Sequence, residues 1–281
     1  MHLDPHPART AQRLIALGPP RDGGAVWLVG AGPGDPELMT LKALRVLERA
    51  EVVVHDGLVS AAILDLAPAG ARRICVAKRK SRPSYAQEDI NRLLVALALQ
   101  GLTVVRLKGG DPLIFGRGGE ELEACRAAGV EHHVVPGVTS ALAAAAAAGA
   151  PLTHRGAAQA VTLVTGHAAD NAAPDLDWPS LARTNQTVVI FMGLSNAAVI
   201  AERLMAAGRA PSTPALIVEN ASLENERRVI ATLGKLAGAA AGLAGPALLM
   251  VGEAMALARP SSNEAPIVAE PVKTSAERAS R

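Results

Sequence analysis

The chain has 281 residues, 49% of them hydrophobic and 19% charged, with a formal net charge of +2. This excludes an intrinsically disordered chain and leaves room for one large or two modest domains with a real core. Near-neutral charge and only 2% aromatic residues also argue against a dedicated nucleic-acid binder, which needs basic surface and stacking rings.

Residues 1–24 are rich in Pro, Gly and Arg and are expected to be a flexible leader; MHLDPHPART lacks a signal-peptide pattern. From there Val-rich runs alternate with Ala/Leu-rich stretches, a pattern that predicts βαβ units and parallel sheets. In the N-terminal half the expected strands are Ala25–Val29, Val52–His55, Arg73–Val76, Thr103–Leu107 and His133–Val135, with helices over Glu37–Arg49, Glu88–Gln100 and Glu120–Ala128. In the C-terminal half strands are expected at Ala160–Thr165, Thr187–Phe191, Ala215–Val218 and Ala247–Val251, and helices at Ser140–Ala148, Asn196–Ala207 and Thr232–Ala241. The fold class is therefore α/β: two open α/β domains, 25–135 and 136–258, with a ligand cleft between them. Residues 259–281 form an expected flexible tail. No apolar run is long enough to span a bilayer. Cys75 and Cys125 form no CxxC pair, so neither a disulfide framework nor a metal site is expected, and a cytoplasmic setting fits.

Open α/β sheets bind ligands beyond the carboxyl ends of their strands, so the loops leaving the strands are the informative places. The first, Gly30-Ala31-Gly32-Pro33-Gly34-Asp35-Pro36, tempts a dinucleotide-binding reading. The third glycine of that fingerprint would fall at Asp35, and Pro33 and Pro36 remove amide donors that a phosphate needs. Structural turn and ligand site remain open for this loop alone. The second, Arg106 to Glu121, holds five glycines in sixteen residues. Its glycines let a ligand approach the backbone, Asp111 can hold a cationic or hydroxylated group, and Arg106, Lys108 and Arg117 offer donors to carboxylates. It contains no GxxxxGK[ST], which disfavours a P-loop ATPase. Thr139 and Ser140 enter an Ala-rich helix and serve as an N-cap, a ligand contact or both. The run Lys78-Arg79-Lys80-Ser81-Arg82 reads either as a solvated charged face or, beside Asp56 at the neighbouring strand end, as a receiver of a polycarboxylate. His154 and His167 are given no role, and His132-His133 reads as strand flank.

Eight stretches occur in order between about residues 25 and 258: VGAGPGDPELMTLKAL (29–44), RLKGGDPLIFGRGGEE (106–121), VPGVTSA (135–141), GAPLTHR (149–155), VTGH (164–167), FMGLSN (191–196), ALIVENAS (215–222) and PALLMVGEAMAL (246–257). Together they resemble the tetrapyrrole methylase family. The long GGDPxxFGRGGEE form is most similar to the branch that C-methylates uroporphyrinogen III. The resemblance implies two α/β domains with S-adenosyl-L-methionine in the cleft between them, usually in a homodimer. It also implies two methyl transfers giving precorrin-2 on the sirohaem/cobalamin route, with S-adenosyl-L-homocysteine as the by-product. Carried over by position, the donor contacts are Pro33, Gly109, Gly110, Asp111, Ile114, Thr139, Ser140, Met192 and Ala221. Asp56 matches the proton acceptor and Lys78 the proton donor. Arg79, Arg106, Lys108, Arg117 and Arg155 are the expected partners of the substrate's carboxylates. The chain departs from the family's pattern at His55, where Tyr is common, at Ala77 and Ala221, where Gly is usual, and in the helix after Ser140, which lacks a usual Tyr. Other readings are a relative acting on a later corrin intermediate or a modified translation factor, a donor-binding protein without catalysis, and a nicotinamide dehydrogenase.

Overall fold

The computed structural model describes residues 23–77, 85–167 and 174–260. The expected leader 1–24 and tail 259–281, and the run Lys78 to Arg82, therefore lie largely or wholly outside the described residues.

The first sheet comprises β1 (Ala25–Gly30), β2 (Val52–His55), β3 (Arg72–Cys75), β4 (Thr103–Lys108) and β5 (Glu131–Val135) in the order β3-β2-β4-β1-β5, all parallel. Parallel strands covered on both faces need apolar residues at consecutive positions, which AVWLVG and VVV supply. Alternate side chains then go to opposite faces. Val29, Val53, Val105 and Leu107 pack under α1 (Leu41–Leu47) and α2 (Ala61–Leu64). Val26, Leu28, Val54 and Val104 pack under α3 (Gln87–Ala98) and α4 (Gly118–Ala127). The helix expected over Glu37–Arg49 is broken in two because two residues cap it. Asp35 accepts from the Glu37 amide at 2.8 Å and starts a 3-10 turn, Pro36–Leu38; the Thr40 hydroxyl accepts from the Ala43 amide at 3.2 Å and starts α1.

The second sheet corrects the expectation of parallel strands. It runs β6-β7-β10-β8-β9, from β6 (Ala160–Thr165), β7 (Gln186–Phe191), β8 (Pro214–Glu219), β9 (Arg227–Thr232) and β10 (Ala247–Val251). Only β6 and β7 pair in parallel; β10 is antiparallel to both its neighbours, and β8 to β9. The link from Glu219 to Arg227 is too short for a parallel crossover, which needs a dozen residues or more, so RRVIAT returns as a hairpin strand. That strand was not expected. The helix predicted over Thr232–Ala241 is instead the end of β9, a 3-10 turn at Leu233–Lys235 and a short helix. One face of this sheet packs on α5 (Ser140–Ala148), with Val189, Leu216, Val218, Leu248 and Met250 in the contact. The other is covered by α6 (Trp178–Leu181), α7 (Ala197–Ala206) and α8 (Leu236–Ala240). Among the described residues no helix is long and apolar enough to cross a membrane.

Glu219, at the end of β8, ties down the loop before β10. Its Oε1 accepts from the amides of Gly245 and Ala244, each at 2.7 Å, and Arg227 stands 3.4 Å from Oε2. The Gly245 and Ala244 amides and then Arg227 hold its carboxyl below the usual range. A lowered folded value gives stability that is present above the unfolded pKa and is lost as pH falls through the folded one. Glu219→Gln is therefore expected to be less stable than wild type at about pH 7, with the gap closing toward about pH 3. Urea unfolding at both pH values measures it.

Candidate active site

Because β1, β4 and β5 are parallel, their carboxyl ends share one edge, where residues 31–36, 109–117 and 136–139 emerge. The Ala31 amide donates to the Lys108 carbonyl at 2.8 Å, and Gly32 and Gly110 exchange two hydrogen bonds, at 3.2 and 2.6 Å. Three backbones meet here at a distance that excludes side chains. A Cβ on Gly30 would lie 2.4 Å from the Gly137 nitrogen, and one on Gly137 would lie 2.2 Å from the Gly110 oxygen. Gly110 differs: its φ is +68°, and a Cβ there would meet only the Ser140 nitrogen and the Thr139 Cα, at 3.8 and 3.9 Å. It faces the space in front of α5. The carboxylate of Asp111 is spent on backbone: Oδ1 accepts from the Leu113 amide at 2.8 Å and Oδ2 from the Gly137 amide at 3.1 Å. It locks the glycine loop to the start of α5.

In the second sheet β6, β7 and β8 point the same way, so Gly166-His167, Met192-Gly193 and Asn220 to Ser222 share an edge. This edge faces the first. The Phe115 and Phe191 rings lie 5.0 Å apart, the Asp35 amide donates to the Ser222 hydroxyl at 3.2 Å, and Leu38 packs on the cluster beneath the second sheet. Among the described residues six non-glycine positions have positive φ, and Phe115, Arg117, Met192, Asn220 and Ser222 are five of them. Left-handed backbone costs such residues on the order of 1–3 kcal/mol each, and here that strain is concentrated on the two facing edges.

The residues expected to contact the donor are thus distributed over this junction. Pro33, Gly109, Gly110, Asp111 and Ile114 lie on the first edge, Thr139 and Ser140 at the start of α5, and Met192, half exposed, on the second edge. Ala221 is buried and packs with the apolar cluster around Val218 and Leu248.

Asp56 follows β2. Its Oδ1 accepts from the Leu58 amide at 2.9 Å and its side chain is 27% exposed. Lys78 and Arg79 lie outside the described residues; β3, from which the chain runs toward them, pairs His55 with Cys75 beside Asp56. Arg106 and Lys108 are not the surface donors that a loop reading suggests. The strand continues through Lys108, and both side chains point inward, 3% and 4% exposed as residues. They converge on Glu121 of α4, which is fully buried: Arg106 Nε donates to Oε1 at 2.9 Å, and Lys108 Nζ lies 3.2 Å from both oxygens. Burial, then Arg106, pushes the Lys108 ammonium below its ordinary pKa, and Glu121 and Asp56 oppose that shift. Glu121 is a residue the sequence reading passed over. Its signal was the pair of cations two apart in a strand, which share a face and need a buried counterion.

Arg117 and Glu120 form a bidentate pair at the start of α4, Nε to Oε1 and Nη2 to Oε2 both at 2.7 Å and both side chains about half exposed. The hydrogen bond to Arg117 holds the Glu120 carboxyl below its usual range. Arg155 is exposed in the turn closed by His154 and Ala158. Among the described residues no His, Cys, Asp and Glu side chains are grouped to hold a metal ion.

The family model for tetrapyrrole (corrin/porphyrin) methylases matches residues 25–237. The chain belongs to the tetrapyrrole methylase family. Among curated relatives of this methylase, a siroheme synthase of Chromobacterium violaceum is 51% identical over 249 residues, covering 88% of this chain and 53% of the relative. A siroheme synthase of Stutzerimonas stutzeri is 50% identical over 249 residues, again covering 88% and 53%. The chain thus spans about half the length of the curated relatives it matches. Among solved structures, a uroporphyrin-III C-methyl transferase from Thermus thermophilus complexed with S-adenyl homocysteine is 46% identical, with a TM-score of 0.73 over 83% of this chain and 100% of that one. A cobalt precorrin-4 methyltransferase is 30% identical, with a TM-score of 0.74 over 82% and 95%. The two-domain α/β architecture of the methylase is that of these structures. The dinucleotide reading of its first loop fails because Asp35 stands where the third glycine belongs and caps the turn at Pro36.

Proposed function

We propose that this methylase transfers methyl groups from S-adenosyl-L-methionine to carbon atoms of uroporphyrinogen III, two in succession, giving precorrin-2 and S-adenosyl-L-homocysteine. The observation that carries the reading is the pair of facing strand-end edges, with Gly110 opening onto the space before α5 while Gly30 and Gly137 close the backbone behind it. A donor laid there would meet backbone rather than a side chain at position 110, and the helix start presents free amides. The 46% identity to the Thermus thermophilus enzyme over nearly all of this fold supports the choice of substrate. The family's usual homodimer and a cytoplasmic setting are part of the same proposal.

The donor supplies an electrophilic sulfonium methyl. The chain's own work is alignment, which supplies much of the rate in such a displacement. Pro33, Gly109, Gly110, Ile114, Thr139, Ser140 and Met192 hold the donor from both edges, and Asp111 and Ala221 shape the wall from behind. Asp56 takes a proton from the macrocycle or steadies the cation that develops on it, and Lys78 returns a proton. Arg79, Arg117 and Arg155 receive carboxylates. Arg106 and Lys108 act from inside the wall through their charge.

Incubation of the purified chain with uroporphyrinogen III and donor, followed by mass spectrometry of the oxidised product, tests the reading. Addition of two methyl groups is expected. Donor binding with no gain in product mass would overturn it in favour of a non-catalytic homologue.

A further inference from the structure

Four charged side chains meet where β2 and β4 end: Asp56, Arg106, Lys108 and Glu121, with a formal sum of zero. The guanidinium of Arg106 is almost fully committed. Nε is bonded to Glu121 at 2.9 Å, and Nη1 donates to the Val54 and Leu107 carbonyls at 3.4 and 3.3 Å. Nη2 is left pointing at Asp56 Oδ2 from 3.8 Å, within ion-pair range and beyond hydrogen-bond length. Glu121 is itself anchored by Lys108 and by Gln87 Nε2 at 3.3 Å.

We infer that Glu121 is a positioning residue for the reaction proposed above: it holds Arg106 back, so that Asp56 is attracted but not captured and remains a competent base. The inference rests on that reading for the role assigned to Asp56. A bidentate Arg106–Asp56 pair would be the stronger local contact, and Asp56 has the exposure to make it. What prevents it is the competing carboxylate on α4. Other titratable groups nearby are His55, whose Nδ1 is 2.9 Å from the Asp56 carbonyl oxygen, Cys125 on the same helix as Glu121, and Arg117 and Glu120 at that helix's start. None of these bridges Arg106 and Asp56 among the described residues.

The sign follows from charge. Glu121→Gln removes the anion nearest Arg106, so Arg106 and Lys108 act on Asp56 with less compensation and its ionised form gains. The change is read as a shift of the measured Asp56 titration toward lower pH in the variant. A weaker base is a poorer catalyst, so kcat falls roughly threefold to tenfold, and the acid limb of the kcat–pH profile moves down with the midpoint. A purely structural role would lower thermal stability and scale kcat equally at every pH.

The experiment is a carbon-13 carboxylate NMR titration of the full chain, with the Asp56 resonance assigned by its loss in Asp56→Asn, run on wild type and Glu121→Gln beside the kcat–pH profile. If Glu121→Gln does not fold, Glu121→Asp is used: it keeps the charge but draws it away from Arg106, so a smaller fall of the same sign is expected. A lowered Asp56 midpoint with a matching acid limb supports the inference. An unchanged midpoint overturns it, whatever the activity. A lowered midpoint in Glu121→Gln, when the wild-type chain methylates no tetrapyrrole, overturns the functional reading instead, and with it the catalytic half of the inference.

Discussion

Asp56→Asn is expected to lower kcat by about 10²–10⁴-fold while leaving donor affinity unchanged. The substitution is nearly isosteric. The Asn side-chain oxygen can still accept from the Leu58 amide, as Asp56 Oδ1 does at 2.9 Å, so the turn after β2 survives. What disappears is the negative charge at the end of the parallel sheet and the ability to take a proton. The proposed donor contacts lie elsewhere, on 33, 109–114, 139–140 and 192, and none of these is hydrogen-bonded to Asp56 in the structure. Lys78→Ala is expected to behave in the same way, if less severely. Calorimetry with the donor alone, run beside steady-state kinetics, separates the two quantities. Equal loss of affinity and turnover would show that Asp56 builds the donor pocket rather than serving the chemistry.

The sequence made the centre of the first sheet readable because β1 and β2 carry unbroken apolar runs, AVWLVG and VVVH, with turn residues after them. The second sheet was only half readable. Local periodicity reports that a segment is a strand but not which way it runs, so the reversal of β10 between β7 and β8 depends on the β8–β9 hairpin having already turned the chain round. β9 escaped because RRVIAT runs straight into Leu233–Ala240, and its end was read as the start of a helix over Thr232–Ala241. The same limit applies to the site. Asp56 could be picked out by its place at a strand end. For Glu121 the cation pair signals that a counterion is needed but not which one, since its partners lie 13 and 15 residues before it and meet it only once α4 has packed over β4. Arg106 and Lys108 were read as ligand donors because sequence gives the sign of a charge and not the direction in which it points. Asp111 was given to a ligand, and sequence gives no sign that its two oxygens also accept from the Leu113 and Gly137 amides.

The glycines of the cleft are expected to separate sharply on substitution by alanine. Gly137→Ala puts a methyl carbon 2.2 Å from the Gly110 oxygen and 2.8 Å from the Gly30 Cα. Both obstacles are backbone and cannot rotate aside, so the sheet edge must open, at a cost of about 3 kcal/mol or more. The displaced Gly110 carbonyl also accepts from the Gly32 amide, so the first two loops lose their register together. Gly110→Ala meets no atom closer than 3.8 Å and bears only the left-handed φ of +68°, about 1 kcal/mol. Its methyl instead occupies the space before Ser140 proposed for the donor, and affinity is expected to fall at least about tenfold, equivalent to roughly 1.4 kcal/mol. Urea unfolding and donor calorimetry on the two variants read these effects separately: one glycine carries stability, the other carries binding. If Gly110→Ala bound the donor as tightly as wild type, the donor would have to lie elsewhere along the junction, and the assignment of Gly109, Gly110, Thr139 and Ser140 to its pocket would fall with it.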